Sequence, residues 1–190
     1  MLKFQTQQLI YAQDKMSIQS ALDSFGKGIV QQSRSNLTKK GKKDRGNLYE
    51  SISYKLNVSK NSFELSFSMT DYGQFVDKGV KGVSSSTKAP KSPFKFGTGS
   101  GFKGGLTKGI DGWVQRKRIQ FRQKEGKGVA GQFLSYKETA FLIRRAIWNK
   151  GIETTNFFTT PFENEFNKLP EQLVEAYNLE LDTFLKYTLK

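Results

Sequence analysis

The carboxylates Glu50, Glu64, Asp71 and Asp77 are the residues of this chain whose type could support hydrolysis, as ligands of a divalent metal. They would have to act alone, because the chain contains no His and no Cys. That composition removes disulfides, thiol nucleophiles, zinc sites of the ordinary kind and the commonest general base near neutral pH. The four acids follow no metal-binding spacing, and single acids on alternating strands ordinarily face solvent. A second motif with chemical form is Gly-Ser-Gly-Phe-Lys-Gly at 99–104, which fits G-x-G-x-x-G. Dinucleotide binding through that pattern needs a buried strand leading in and a helix N-terminus to receive the pyrophosphate. The Ser-, Lys- and Pro-rich residues before it make no such strand. The expectation is a protein that is not an enzyme and that has no catalytic residue, no metal and no cofactor.

The cations are the remaining candidates. The formal net charge is +14, and it is unevenly spread. Residues 31–60 carry eight basic and two acidic side chains, and residues 91–130 carry ten and two. From position 151 onward the sign reverses, with seven acids against three bases. Lys39, Lys40, Lys42 and Lys43 crowd the first stretch, while Arg116, Lys117, Arg118, Arg122 and Lys124 crowd the second. Both sets are candidates for contact with nucleic acid or an acidic partner. In the second set, Trp113 and Phe121 lie among the cations, so phosphates could be held while rings stack; the plainer reading is a solvated helix face with core aromatics. Lys outnumbers Arg by 24 to 7, which favours diffuse charge over the forked contacts that read bases.

These residues need elements to position them. Apolar residues alternate at Ile52, Tyr54, Leu56 and Val58, and again at Phe63, Leu65, Phe67 and Met69, predicting a β-hairpin over 48–69 with one buried face. Ile18, Leu22, Phe25 and Ile29 form an apolar stripe that predicts a helix within about 1–33, capped by Asp14 or Ser17 and loosened at Gly26 and Gly28. A hairpin alone is marginal in water, so that helix is expected to lie across its apolar face. Residues 31–46 lack periodicity and read as a charged loop. A short helical turn follows the hairpin, with Tyr72 and Phe75 expected in the core and Asp77 and Gly79 ending it. Residues 80–112, rich in Gly, Ser and Lys, read as a long extended arm that orders against neighbouring subunits, with simple disorder as the alternative. Helical character returns over 110–123 and strongly over 135–150. In that second helix Phe141, Leu142, Ala146 and Ile147 form the apolar side, Ser135 and Glu138 a capping box, and Gly151 the end. A C-terminal helix is expected over about 162–188, begun or broken near Pro170. The fold class is α+β: a small antiparallel sheet, the hairpin plus a further strand, packed on helices in a single domain over 1–190. No run of eighteen apolar residues is present, so no membrane span is expected. The opening residues lack the apolar stretch of a signal peptide, so action in the compartment of synthesis is expected.

Three stretches then add a resemblance. Arg-Gly-Asn-Leu-Tyr-Glu-Ser-Ile at 45–52 precedes the hairpin, Tyr-x-x-Phe-Val-acidic-x-Gly follows it at 72–79, and Lys150, Gly151 and Ile152 come later, before Phe157, Phe158 and Pro161. Together and in this order they resemble the head–tail joining proteins (neck, tail-completion or head–tail connector proteins) of tailed bacteriophages. Thr155 and Asn156 stand where that family has a proline, and the 80–112 loop is longer than usual. The resemblance implies a structural, non-enzymatic virion protein assembled in the host cytoplasm. Its copies would form a hexameric or dodecameric ring between portal and tail, around the channel through which duplex DNA leaves. Its partners would be portal or adaptor and tail proteins, with no membrane. On that reading Phe75, Val76, Phe94, Phe96 and Phe102 are the expected intersubunit or portal contacts. Deleting 84–101 would leave a folded domain. The alternative is a sequence-independent nucleic-acid-binding protein that acts alone through 31–46 and 103–127.

Overall fold

The computed structural model describes residues 17–59, 62–97, 105–124 and 130–188; Phe102 and the glycine motif at 99–104 lie outside them. The described elements begin with helix α1 (Ile18–Lys39), helix α2 (Asn47–Ser51), strands β1 (Ser53–Ser59) and β2 (Ser62–Ser68), helix α3 (Gly73–Lys78) and strand β3 (Val80–Lys81). Helices α4 (Gly105–Arg116) and α5 (Tyr136–Lys150), strand β4 (Gly151–Ile152), and helices α6 (Thr159–Phe166) and α7 (Leu169–Thr188) follow. The architecture is α+β, with two separate antiparallel pairs, β1–β2 and β3–β4, so the further strand forms its own pair with β4. The chain divides into two compact units, one from Met1–Gly73 with Asn156–Lys190 and one from Gln74–Thr155.

In the first unit the apolar stripe of α1 buries Ala21, Phe25, Ile29 and Val30. Ser17 caps the helix, its hydroxyl accepting from the Ser20 amide at 3.1 Å. Gly26 and Gly28 do not loosen the helix, which continues to Lys39. Gly26 is instead a contact point: a Cβ there would lie 2.5 Å from Cδ2 of Tyr54, so only glycine lets the hairpin's ring press on the helix. The first part of the expected charged loop is therefore helical. Gly41, at φ +63°, stops it. There the Lys42 amide donates to the Leu37 carbonyl and Gly41 to Thr38, the paired bonds of a Schellman end.

The hairpin register places Tyr54 opposite Phe67, Leu56 opposite Leu65 and Val58 opposite Phe63. Phe67 enters an aromatic cluster, 5.5 Å from Phe158 and 6.0 Å from Phe162 between ring centres, and Phe25 and Leu169 complete the core. Residues 48–51, expected in the first strand, are helical. Period-two alternation starts only at Ile52, and Leu48 alone turns inward. Arg34 fixes this junction by donating to the Ile52 carbonyl at 3.0 Å and the Glu50 carbonyl at 3.4 Å. The expected single C-terminal helix is two, α6 and α7. Pro161 and Pro170 each sit in a first turn, where no intrahelical N–H is required.

In the second unit the described parts of the expected arm, 80–97 and 105–112, are folded chain. Lys81 accepts from the Phe96 amide and donates to the Phe94 carbonyl, so 94–96 lies beside β3 in parallel. On its other edge β3 pairs with β4, Val80 opposite Ile152 and Lys81 opposite Gly151. Ala89 and Ser92 are buried, and the Ser92 hydroxyl donates to the Gly79 carbonyl at 2.7 Å. Residues 105–112 belong to α4. Small side chains that read as an arm are those that let backbone approach backbone. Helix α4 ends earlier than expected, because Arg118 adopts φ +52° and the Ile119 and Arg118 amides close a Schellman end on Val114 and Gln115. On α5 the buried positions are Thr139 and Ala140, with Ile143 and Ile147 half-buried, whereas Phe141, Leu142 and Ala146 are exposed. Arg144, paired with Asp111 of α4, sets that rotation.

Candidate functional site

In the first unit Lys39, Lys40, Lys42 and Lys43 are all exposed around the end of α1. The Lys43 ammonium sits 3.9 Å above the centre of the Tyr49 ring, and the Arg34 guanidinium 5.4 Å from it. Such contacts fix the long cation over the ring and leave its charge facing water. Lys42, Lys43, Asp44, Arg45, Tyr49 and Tyr72 line a recess of about 230 Å³. Three cations against one acid suit it to an anion. Tyr72, expected in the core, is exposed at its rim.

The second basic set belongs to the other unit. Arg116, Lys117 and Arg118 surround the end of α4, and Arg122 and Lys124 lie on a short antiparallel ribbon. The Arg122–Phe133 bridge, the Leu134 amide donating to Phe121 and the Gln123 amide donating to Gln132 define that ribbon. Its root is fixed by the Phe121 amide donating to the buried Thr139 hydroxyl at 3.2 Å and by Gln120 donating to the Leu134 carbonyl at 2.9 Å. The Arg122 guanidinium lies 4.6 Å from the centre of the Phe133 ring, and that ring is 56% exposed. Trp113, the sequence's candidate for stacking, is half-buried instead. Phe133 gave no signal in the sequence because its partner is eleven residues upstream in a stretch that reads as helix. The neighbouring acid Glu138 is engaged: it accepts from the Ser135 hydroxyl at 2.6 Å and amide at 2.9 Å, which holds its carboxyl below the usual range.

Of the expected contact residues, Phe75 meets Phe94 edge-on, with ring centres 4.5 Å apart, and keeps 38% of its surface exposed, contrary to a core placement. Phe96 packs 5.4 Å from Trp148. Val76 is half-buried, and its carbonyl accepts from the Thr155 hydroxyl at 2.6 Å. Among the acids, Glu50, Glu64 and Asp71 are exposed, while Asp77 is buried where its backbone carbonyl accepts from the Thr155 amide. Among the described residues no three Asp or Glu side chains gather as a metal-holding group, and no helix is long and apolar enough to cross a membrane. The other titratable cluster is structural. Asp23 is held below the usual carboxylate range by Lys27, then by the Tyr54 hydroxyl that donates to it at 2.7 Å, and burial raises Tyr54.

No protein-family model, no curated protein and no solved structure matches this chain.

Proposed function

We propose that this chain is a structural virion protein of a tailed phage, a ring-forming subunit of the neck between portal and tail. It assembles in the host cytoplasm, helps complete the head and attach the tail, and surrounds the DNA channel without carrying out a catalytic step. The observation that carries the reading is where the resembling stretches fall. Gly79 closes the second stretch, and the strand that follows it pairs with Gly151 and Ile152 of the third. The Thr154 hydroxyl donates to the Lys78 carbonyl at 2.9 Å and Thr155 bonds twice, to Val76 and Asp77. Residues more than seventy positions apart thus make one hydrogen-bonded frame, and this gives their joint occurrence a physical reason.

The exposed surface supports an assembling role. On α7, Val174 and Tyr177 are exposed beside Glu171 and Glu175. On the other unit, Phe141 and Leu142 are exposed beside Arg145. A closed ring is built from head-to-tail contacts between two unlike patches of the same chain, and these patches differ in sign while both offer apolar area. The test is the mass of the purified protein in solution at low and high salt. Hexameric or dodecameric rings that dissociate in Glu171→Lys/Glu175→Lys support the reading. A protein that stays monomeric at every concentration and salt opposes it.

A further inference from the structure

We infer that the ribbon over 119–124 and 130–134 is a binding face for single-stranded nucleic acid, with the Arg122–Phe133 pair as its stacking platform. In a two-stranded ladder, directly opposed residues share a face and residues two apart join them. Arg122 and Phe133 are directly opposed, so they and Lys124 lie on one face, and Phe121, beside Leu134 in the ladder, lies on the other. The Arg122–Lys124–Phe133 face thus combines an exposed ring, a guanidinium whose central carbon lies 4.6 Å from the ring's centre and an ammonium two residues on. Residues 113–124 contain five basic side chains and no acidic one.

The partner follows from that combination. Cations neutralise phosphates, and the sequence-tolerant way to use a ring and a guanidinium plane is to stack unpaired bases. A duplex hides its bases from such a platform, leaving only phosphate contacts. Protein partner surfaces favour Arg and aromatic rings but are depleted of Lys, whereas here Lys124 shares the face with the ring. The ribbon is also held in place before any ligand arrives: Thr139 and Gln120 anchor its root, and Arg118 turns the chain out of α4 at φ +52°. At this root little ordering is left to be done on binding. This inference does not depend on the neck proposal, and each can fail alone.

The experiment is fluorescence anisotropy of the full-length protein with a labelled oligo-dT, an oligo-rU and a duplex of the same length, at low and at raised salt. Saturable binding of one or both single strands, tighter than the duplex and weakened by salt, is expected. DNA-only, RNA-only and dual binding each assign the source of the strand and all support the face. Phe133→Ala should weaken single-strand binding by about tenfold or more. Phe133→Leu, which keeps apolar volume at this exposed position, should do the same, so a folding defect in the alanine variant does not decide the matter. Arg122→Gln/Lys124→Gln should reduce the dependence on salt. Absence of saturable binding, equal or tighter binding of the duplex, or wild-type affinity in Phe133→Leu would overturn the inference.

Discussion

Replacing Gly79 by alanine probes the frame that joins the two later resembling stretches. Gly79 ends α3 at φ +69°, a conformation that costs an L-residue about 1–2 kcal/mol. The added Cβ would also lie 2.6 Å from the Ile152 carbonyl oxygen, 2.7 Å from the Thr154 amide nitrogen and 2.9 Å from the Ala89 Cβ. These are backbone atoms of the β4 region and a buried methyl, so no flexible side chain can swing away. Relief requires β3 and β4 to move apart, with overpacking of this kind costing about 1–3 kcal/mol more. Gly131 is the internal control: it has φ +82° in the same unit, and a methyl group added there would meet nothing within 4 Å. Gly131→Ala carries the conformational cost alone, so the difference between the two variants isolates the close approach. Both tryptophans, Trp113 and Trp148, belong to the Gln74–Thr155 unit, so urea titration followed by tryptophan fluorescence reports this unit. Gly79→Ala should lose at least about 1 kcal/mol more than Gly131→Ala at unchanged m-value. Equal losses in the two variants would refute the claim that the frame is closed by contact at Gly79.

The same assay checks two other parts of the unit. Ser135→Ala removes the hydroxyl half of the capping box, leaves the backbone amide's bond to Glu138 in place, and should cost about 1 kcal/mol. Because the folded pKa of Glu138 is depressed, its contribution is present above the ordinary carboxylate range and is lost as pH falls through the folded value; the stability gap between wild type and Glu138→Gln should therefore close on acidification, and a gap that widens would contradict the capping role. Removing 84–97 takes away Ala89, Ser92 and the strand beside Lys81, so the cooperative tryptophan transition should vanish; an unchanged transition would restore the extended-arm reading.

Features set by near neighbours were legible in the sequence. The spacing of Ile18, Leu22, Phe25 and Ile29 marks α1, alternation from Ile52 to Phe67 marks the hairpin, and Ser135 with Glu138 marks the start of α5. What depends on distant residues was not legible. Gly26 reads as a helix breaker until Tyr54 is seen pressed against it. The five residues of α2 are helical because Gly46 turns at φ +90° and Arg34 holds their carbonyls, and alternation carries no trace of either. Segment 80–97 is held by backbone pairing and by small buried groups, so its composition resembles that of an arm. On α5 hydrophobicity favours Phe141 and Leu142, yet the Asp111–Arg144 pair and the Thr139 bond turn Ala140 inward and leave both outside. The Arg122–Phe133 platform needs a ribbon whose first half reads as helix in the sequence, so only the cations of that face could be read beforehand.

The neck proposal is tested most directly by imaging purified virions of a tailed phage whose genome is found to carry the gene for this chain, with mass spectrometry of the same particles to detect the protein. The account predicts the chain in stoichiometric amounts in intact particles, as a closed ring beneath the portal. Particles that are complete and infectious yet lack the chain would contradict it.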